Sequence, residues 1–170
     1  MLCLIPMRDF FSFPNPVNEK AARTVAAGVL VAVIVTLISG WYWLLIPIAY
    51  GFWARVLAGP RLSPLGWTAM NVIAPRLGEK RYVSGPPKRF AQGIGVVISS
   101  AALSFALILG DHAVADVLLC IFIFAAGLEA LFGYCLGCKL FGVLMHLGLV
   151  PPEVCAECAD ISGRLGLLKP

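Results

Sequence analysis

Apolar residues in this chain do not alternate with polar ones; they gather into long runs parted by short intervals rich in proline, glycine and charge. Four runs stand out, at residues 21–39, 41–59, 90–110 and 114–134. A helix crossing a bilayer needs roughly 20 mostly apolar residues, because lipid offers no water to unpaired backbone groups. Each run meets that length, so the pattern predicts four spans and no period-two strand. The first two runs are parted only by Ser39-Gly40, with no charge between Arg23 and Arg55. A tight hairpin is favoured there over one tilted helix: Gly40 is a turn residue, and Trp41, Tyr42 and Trp43 are the aromatics expected at a membrane interface. The second pair turns at Asp111-His112. At the start, Pro6 and Arg8 interrupt the apolar stretch too soon for a signal peptide, and FPNP predicts an extended approach to the first helix.

Composition agrees with the runs. Of 170 residues, 60% are hydrophobic and 13% charged, and the mean hydropathy is +0.91, outside the balance of soluble domains. The expectation is an all-α, polytopic helical bundle forming one membrane unit. It comprises a lead-in (1–20), a first hairpin (21–59), a basic loop with an interfacial helix (60–89), a second hairpin (90–134) and a cysteine-rich tail (135–170).

Charge gives the orientation. All thirteen Lys and Arg residues lie on one side of the four-span pattern, with Arg8, Lys20 and Arg23 by the start of the first run, seven from Arg55 to Arg89 around the middle loop, and Lys139, Arg164 and Lys169 after the fourth run, and basic residues are retained in the cytoplasm. Both termini are therefore expected to be cytoplasmic, and the net charge of +4 is accounted for by topology and anionic headgroups, without nucleic acid.

The halves resemble each other. Residues 49–75 laid over 125–151 superpose Gly51 on Gly127, Ala54 on Ala130, Gly66 on Gly142 and Pro75 on Pro151. Each half runs from a basic, proline-bearing lead-in through a hairpin to a short helix, which Ser63-Pro64 would start at 64–74 and whose counterpart is 138–149. Two spans per half make a parallel repeat, unlike an inverted one. Arg55 and Glu129 lie at matching depth inside apolar runs, where a charge costs about 2.5–3.5 kcal/mol. They are expected to pair.

The candidate chemistry is in the thiols. Cys135, Cys138, Cys155 and Cys158 form C-x2-C-x16-C-x2-C, a spacing that fits a four-thiolate zinc site. Against zinc, the first pair stands at the end of an apolar helix, between Tyr134 and Leu136. The tail pair, Cys155 and Cys158, falls in a helix that Pro151-Pro152 would start, and C-x-x-C at a helix N-terminus favours thiolate and supplies a nucleophile with its resolver; Lys139 beside Cys138 would favour thiolate as well. On the cytoplasmic side a permanent disulfide is not expected. Glu129, six residues before Cys135, is a candidate proton acceptor. Cys120 is expected to be a packing thiol, Cys3 incidental, and His112 and His146 solvated. No Gly-rich phosphate loop, Ser-His-Asp set or suitably spaced carboxylate pair is present, which argues against hydrolase or ATPase chemistry.

The runs FPNPVNEKAARTVAAG, RVLAGPRLSPLG and GPPKRFAQ, and the block LEALFGYCLGCKLFG with its VCAEC tail, resemble the bacterial membrane-protein family catalogued as domain of unknown function 4395. In that resemblance Cys135 and Cys138 match the GYCLGC element and Cys155 and Cys158 the tail pair. It implies a bacterial cytoplasmic membrane protein that handles thiols or sulfane sulfur with a thioredoxin-like or sulfurtransferase partner. Cys135 or Cys138 would attack the partner's disulfide or persulfide, Cys155 and Cys158 would pass the equivalents on, and Glu129 would take the proton. Two alternatives stay open: a non-enzymatic platform stapled by zinc on the four cysteines, and a small transporter or channel for a sulfur compound, for which four spans suggest a homo-oligomer.

Overall fold

The fold is that of a computed structural model and is described for residues 17–78, 82–83 and 85–148. A two-residue strand, β1 (Val17–Asn18), leads into α1 (Glu19–Ser39). Asn18 caps α1, its side chain accepting from the Lys20 amide at 3.0 Å, and Glu19 places negative charge at the positive end of the helix. Gly40 ends it in the left-handed region, φ 65°, a conformation in which a Cβ would be strained. A 3-10 turn (Tyr42–Leu44) opens α2 (Leu45–Ala58), and after a second turn Ser63 caps α3 (Pro64–Thr68). The chain stays helical beyond α3, π-wound over Ala69–Ile73 and 3-10 over Ala74–Leu77. Strand β2 (Tyr82–Val83) pairs antiparallel with β1, Val17 opposite Val83. Then come α4 (Gly85–Leu107), α5 (His112–Phe132), capped by Asp111, and α6 (Leu136–His146).

Three of these helices, α1, α4 and α5, are long and apolar enough to cross a membrane. α2 has 14 residues, about 21 Å at 1.5 Å per residue. That is short of a hydrocarbon core of about 30 Å. Pro47 falls at the third position of α2 and the 3-10 turn precedes it, so the second run is helical but not one continuous α-helix.

Packing does not follow chain order. α1 lies against α5 and α2 against α4, while α1 and α2, the first expected hairpin, touch little. α4 and α5 do pack on each other, α3 and the turns after it lie on α1, and α6 lies on α4. Small residues carry these contacts, among them Ala21, Ala26, Ala102, Ala106, Ala115 and Ala126, all buried. Apolar side chains such as Val31, Ile38, Val97, Ile108, Val117 and Phe124 point outward. Small residues between helices and large apolar ones outside form the pattern of a bundle whose solvent is apolar. Cys120 also faces outward, so it is not a packing thiol.

The short helix expected from Ser63-Pro64 starts where the sequence places it and runs past Pro75 to Leu77. The FPNP lead-in, Cys3, and the tail with Cys155 and Cys158 lie outside the described residues.

Candidate functional site

α5 ends at Gly133, whose left-handed φ of 68° turns the chain so that Cys135 caps α6. Two bonds fix the turn: Gly133 N–H donates to Glu129 O at 3.0 Å and Tyr134 N–H to Leu128 O at 3.1 Å. Arg23, reaching across from α1, donates to Ala130 O at 3.2 Å and Leu131 O at 2.8 Å. Basic groups suit helix C-termini because the last carbonyls have no partners within the helix. The consequence is a rigid platform for Cys135, which is 8% exposed, with Cys138 one turn on in α6.

α6 sits close against α4. A Cβ on Gly137 would stand 2.5 Å from Ala91 Cβ and 2.7 Å from its Cα, so only glycine allows this approach. That contact brings the thiols to Lys88, in the first turn of α4, whose ammonium forms an ion pair with Glu129.

The expected Arg55–Glu129 pair is not formed; Lys88 holds the carboxylate instead. The reason lies in the packing. α2 is placed against α4, where Arg55 Nε donates to Gln92 Oε1 at 2.8 Å and Nη1 to Ser63 Oγ at 3.1 Å, over the Phe52 ring. Lys139, expected to favour thiolate at Cys138, lies 5.5 Å from the Tyr134 ring centroid. Lys88 is the cation that acts on both thiols. Sequence reasoning took it only as part of the basic loop. Its signal was position: the first turn of a helix led in by two prolines and packed at the level of Cys135.

The two thiols differ sharply. Cys135 is lowered from 9.0 to about 7, chiefly by hydrogen bonding from Cys138 and also by the Lys88 charge; burial and the Glu129 charge oppose the shift. Cys138 is pushed up by the same hydrogen bond and by burial. One thiol is thus predisposed to be thiolate and the other to stay protonated, and both are free.

Cys135 and Glu129 line a cavity of about 380 Å³ between α1, α4, α5 and α6, otherwise walled mainly by Val25, Phe52, Ile98, Phe122 and similar apolar groups. Among the described residues no three His, Cys, Asp or Glu side chains cluster as metal ligands. Two of the four thiolates a zinc site would need, Cys155 and Cys158, lie outside them. His146 is exposed on α6. His112 is exposed as well and stacks on Tyr42, centroids 4.5 Å apart, beside a Tyr42–Asp116 hydrogen bond of 2.8 Å.

The fold and site together define a helical protein with, among the described residues, three helices fit to cross a membrane and a C-x-x-C pair opening a further helix. The family described as Domain of unknown function (DUF4395) matches residues 17–146, and the chain belongs to it. No match was found among curated proteins or among solved structures.

Proposed function

We propose that this chain is a membrane thiol oxidoreductase or sulfur carrier, with Cys135 the attacking thiolate and Cys138 its resolver. The observation that carries the reading is the buried Cys135 at the start of α6, lowered to about 7 beside the Lys88–Glu129 pair. Thiolate is the nucleophile in exchange, and a thiol with a pKa near ambient pH is the best attacker.

In the reaction proposed, Cys135 thiolate attacks one sulfur of a partner disulfide. An S–S bond forms between Cys135 and the partner, and the partner's second sulfur leaves as thiolate. Cys138 then gives its proton to Glu129 and attacks Cys135 Sγ. The Cys135–Cys138 disulfide forms, the partner leaves fully reduced, and two electrons have passed to it. A persulfide partner would instead transfer its outer sulfur to Cys135 and leave as thiolate. Cys155 and Cys158 would re-reduce the pair. The partner is of the thioredoxin-like or sulfurtransferase class.

The reading places the chain in a bacterial cytoplasmic membrane as four spans in parallel repeat, termini and thiols inside. Several contacts support the repeat. α1 on α5 answers α4 on α2, and the short helix on α1 answers α6 on α4. The strands before α1 and α4 pair with each other. Arg23 bonds the end of α5, and Arg89 bonds Val56 O near the end of α2. In this arrangement the 3-10 turn at Tyr42–Leu44, about 6 Å long, extends α2 towards the needed span.

The test uses purified full chain and an oxidised thioredoxin-like protein. Cys138→Ser should accumulate a mixed disulfide through Cys135, and Cys135→Ser should form none. If both variants trap equally, or neither does, the assignment fails. About one zinc per chain, lost on replacing Cys135, would replace this reading with a stapled platform.

A further inference from the structure

We propose that Arg55, with Lys88 and Gln92, forms a binding site for a small oxyanion that adjoins the thiol site and shares Lys88 with it. Arg55 is 5% exposed, and a buried guanidinium is costly unless its donors and its charge are met. Two donors are met, but only by neutral groups: Nε by Gln92 Oε1 and Nη1 by Ser63 Oγ. Nη2 has no hydrogen-bond partner among the described residues, and no described carboxylate lies within ion-pair distance of Arg55.

Arg55 lines a cavity of about 60 Å³, with Lys88, Gln92, Asn18, Pro60 and Gly66 also on its wall. A single water requires about 10–15 Å³ on the same measure, so there is room for several waters or a compact polyatomic ion. The charge balance gives the sign of the ligand. Lys88 and Glu129 cancel, so while Cys135 is protonated Arg55 is left as one net positive charge in the buried cluster. A guanidinium edge and a nearby ammonium are the donors that take up phosphate-like or sulfur oxyanions. The cavity lies at the basic end of the bundle, a field that concentrates anions. Gln92, Ala22 and Val25 line both this cavity and the one holding Cys135.

The oxyanion could be free in solution or part of a lipid headgroup, and the experiment separates the two. The full chain in phosphatidylcholine nanodiscs is titrated calorimetrically with inorganic phosphate and with thiosulfate. At least one should bind saturably, and Arg55→Gln should weaken that binding at least 10-fold. Because Arg55→Gln could compromise folding, Gln92→Glu is measured in parallel. It keeps the shape of Gln92 and sets a carboxylate against Arg55, so it should fold and also lose binding at least 10-fold. Repeating the titration with phosphatidylglycerol in the nanodisc assigns the source: suppressed binding means a headgroup occupies the site, and unchanged binding means a free anion does. No saturable binding of either anion to the parent chain, or equal binding to Gln92→Glu, overturns the proposal.

Discussion

At the residue scale the chemistry rests on how Lys88 and Glu129 bias two neighbouring thiols. Lys88 lowers Cys135 and Glu129 raises it, so their removal should move its titration in opposite directions. Glu129→Gln should shift the pH midpoint of Cys135 alkylation below about 7. Lys88→Met should shift it above, towards the 9.0 of an ordinary thiol. Peptide-resolved iodoacetamide labelling over a pH series measures both. The pair is also structural, with side chains 10% and 17% exposed, and removing one partner of such a pair costs about 3 kcal/mol. Lys88→Met should therefore lower stability by about that amount, and the double variant Lys88→Met/Glu129→Leu should recover most of it. A double variant no more stable than the single would show that the pair is not the reason. The sequence made Cys135, Cys138 and Glu129 legible, because thiols in C-x-x-C and a carboxylate in an apolar run are conspicuous. It did not reveal Lys88. One lysine among thirteen basic residues looks like the rest until packing shows which carboxylate it meets.

At the scale of elements, the helices were legible as apolar runs, with Gly40 as a turn between the first two; the caps Asn18 and Asp111 and the left-handed stop at Gly133 fix ends that the runs alone leave open. Which helix packs on which was not, since a lipid-facing sequence has no wet face to mark the inner one. The close approaches are marked by glycines, but only in three dimensions. A Cβ on Gly95 would stand 2.3 Å from the Phe52 ring, and one on Gly137 would press on Ala91 backbone, whereas Gly93 has open space. Gly137→Ala should push α6 off α4, costing about 1–3 kcal/mol as overpacking does. It should also bring Cys135 nearer to ordinary thiol behaviour by drawing it away from Lys88. Gly93→Ala is the control and should leave both stability and the alkylation profile unchanged. Thermal unfolding in detergent and the same labelling series decide the matter, and a neutral Gly137→Ala would remove α6 packing from the explanation.

For the whole molecule, the runs of apolar residues predicted a helical membrane bundle, and three helices have the length and composition for it. The second run fell short as an α-helix through Pro47 and the 3-10 turn before it, features whose local effect hydropathy averages away. The topology proposed above puts Ala113 and Gly142 on opposite sides of the membrane. Single cysteines at these positions in a thiol-free background should differ in intact cells, the first reacting with an impermeant maleimide and the second only after permeabilisation. Equal labelling would overturn the four-span arrangement.

The central claim is that Cys135 is a ready thiolate and Cys138 its protonated resolver. It is tested most directly by the pH dependence of alkylation at each cysteine of the purified parent chain, resolved by mass spectrometry. The account predicts that Cys135 reacts along a single ionisation near 7, while Cys138 stays unreactive until well above pH 9.0. Two cysteines titrating together at an ordinary thiol value, or both protected until a chelator withdraws a metal, would contradict it.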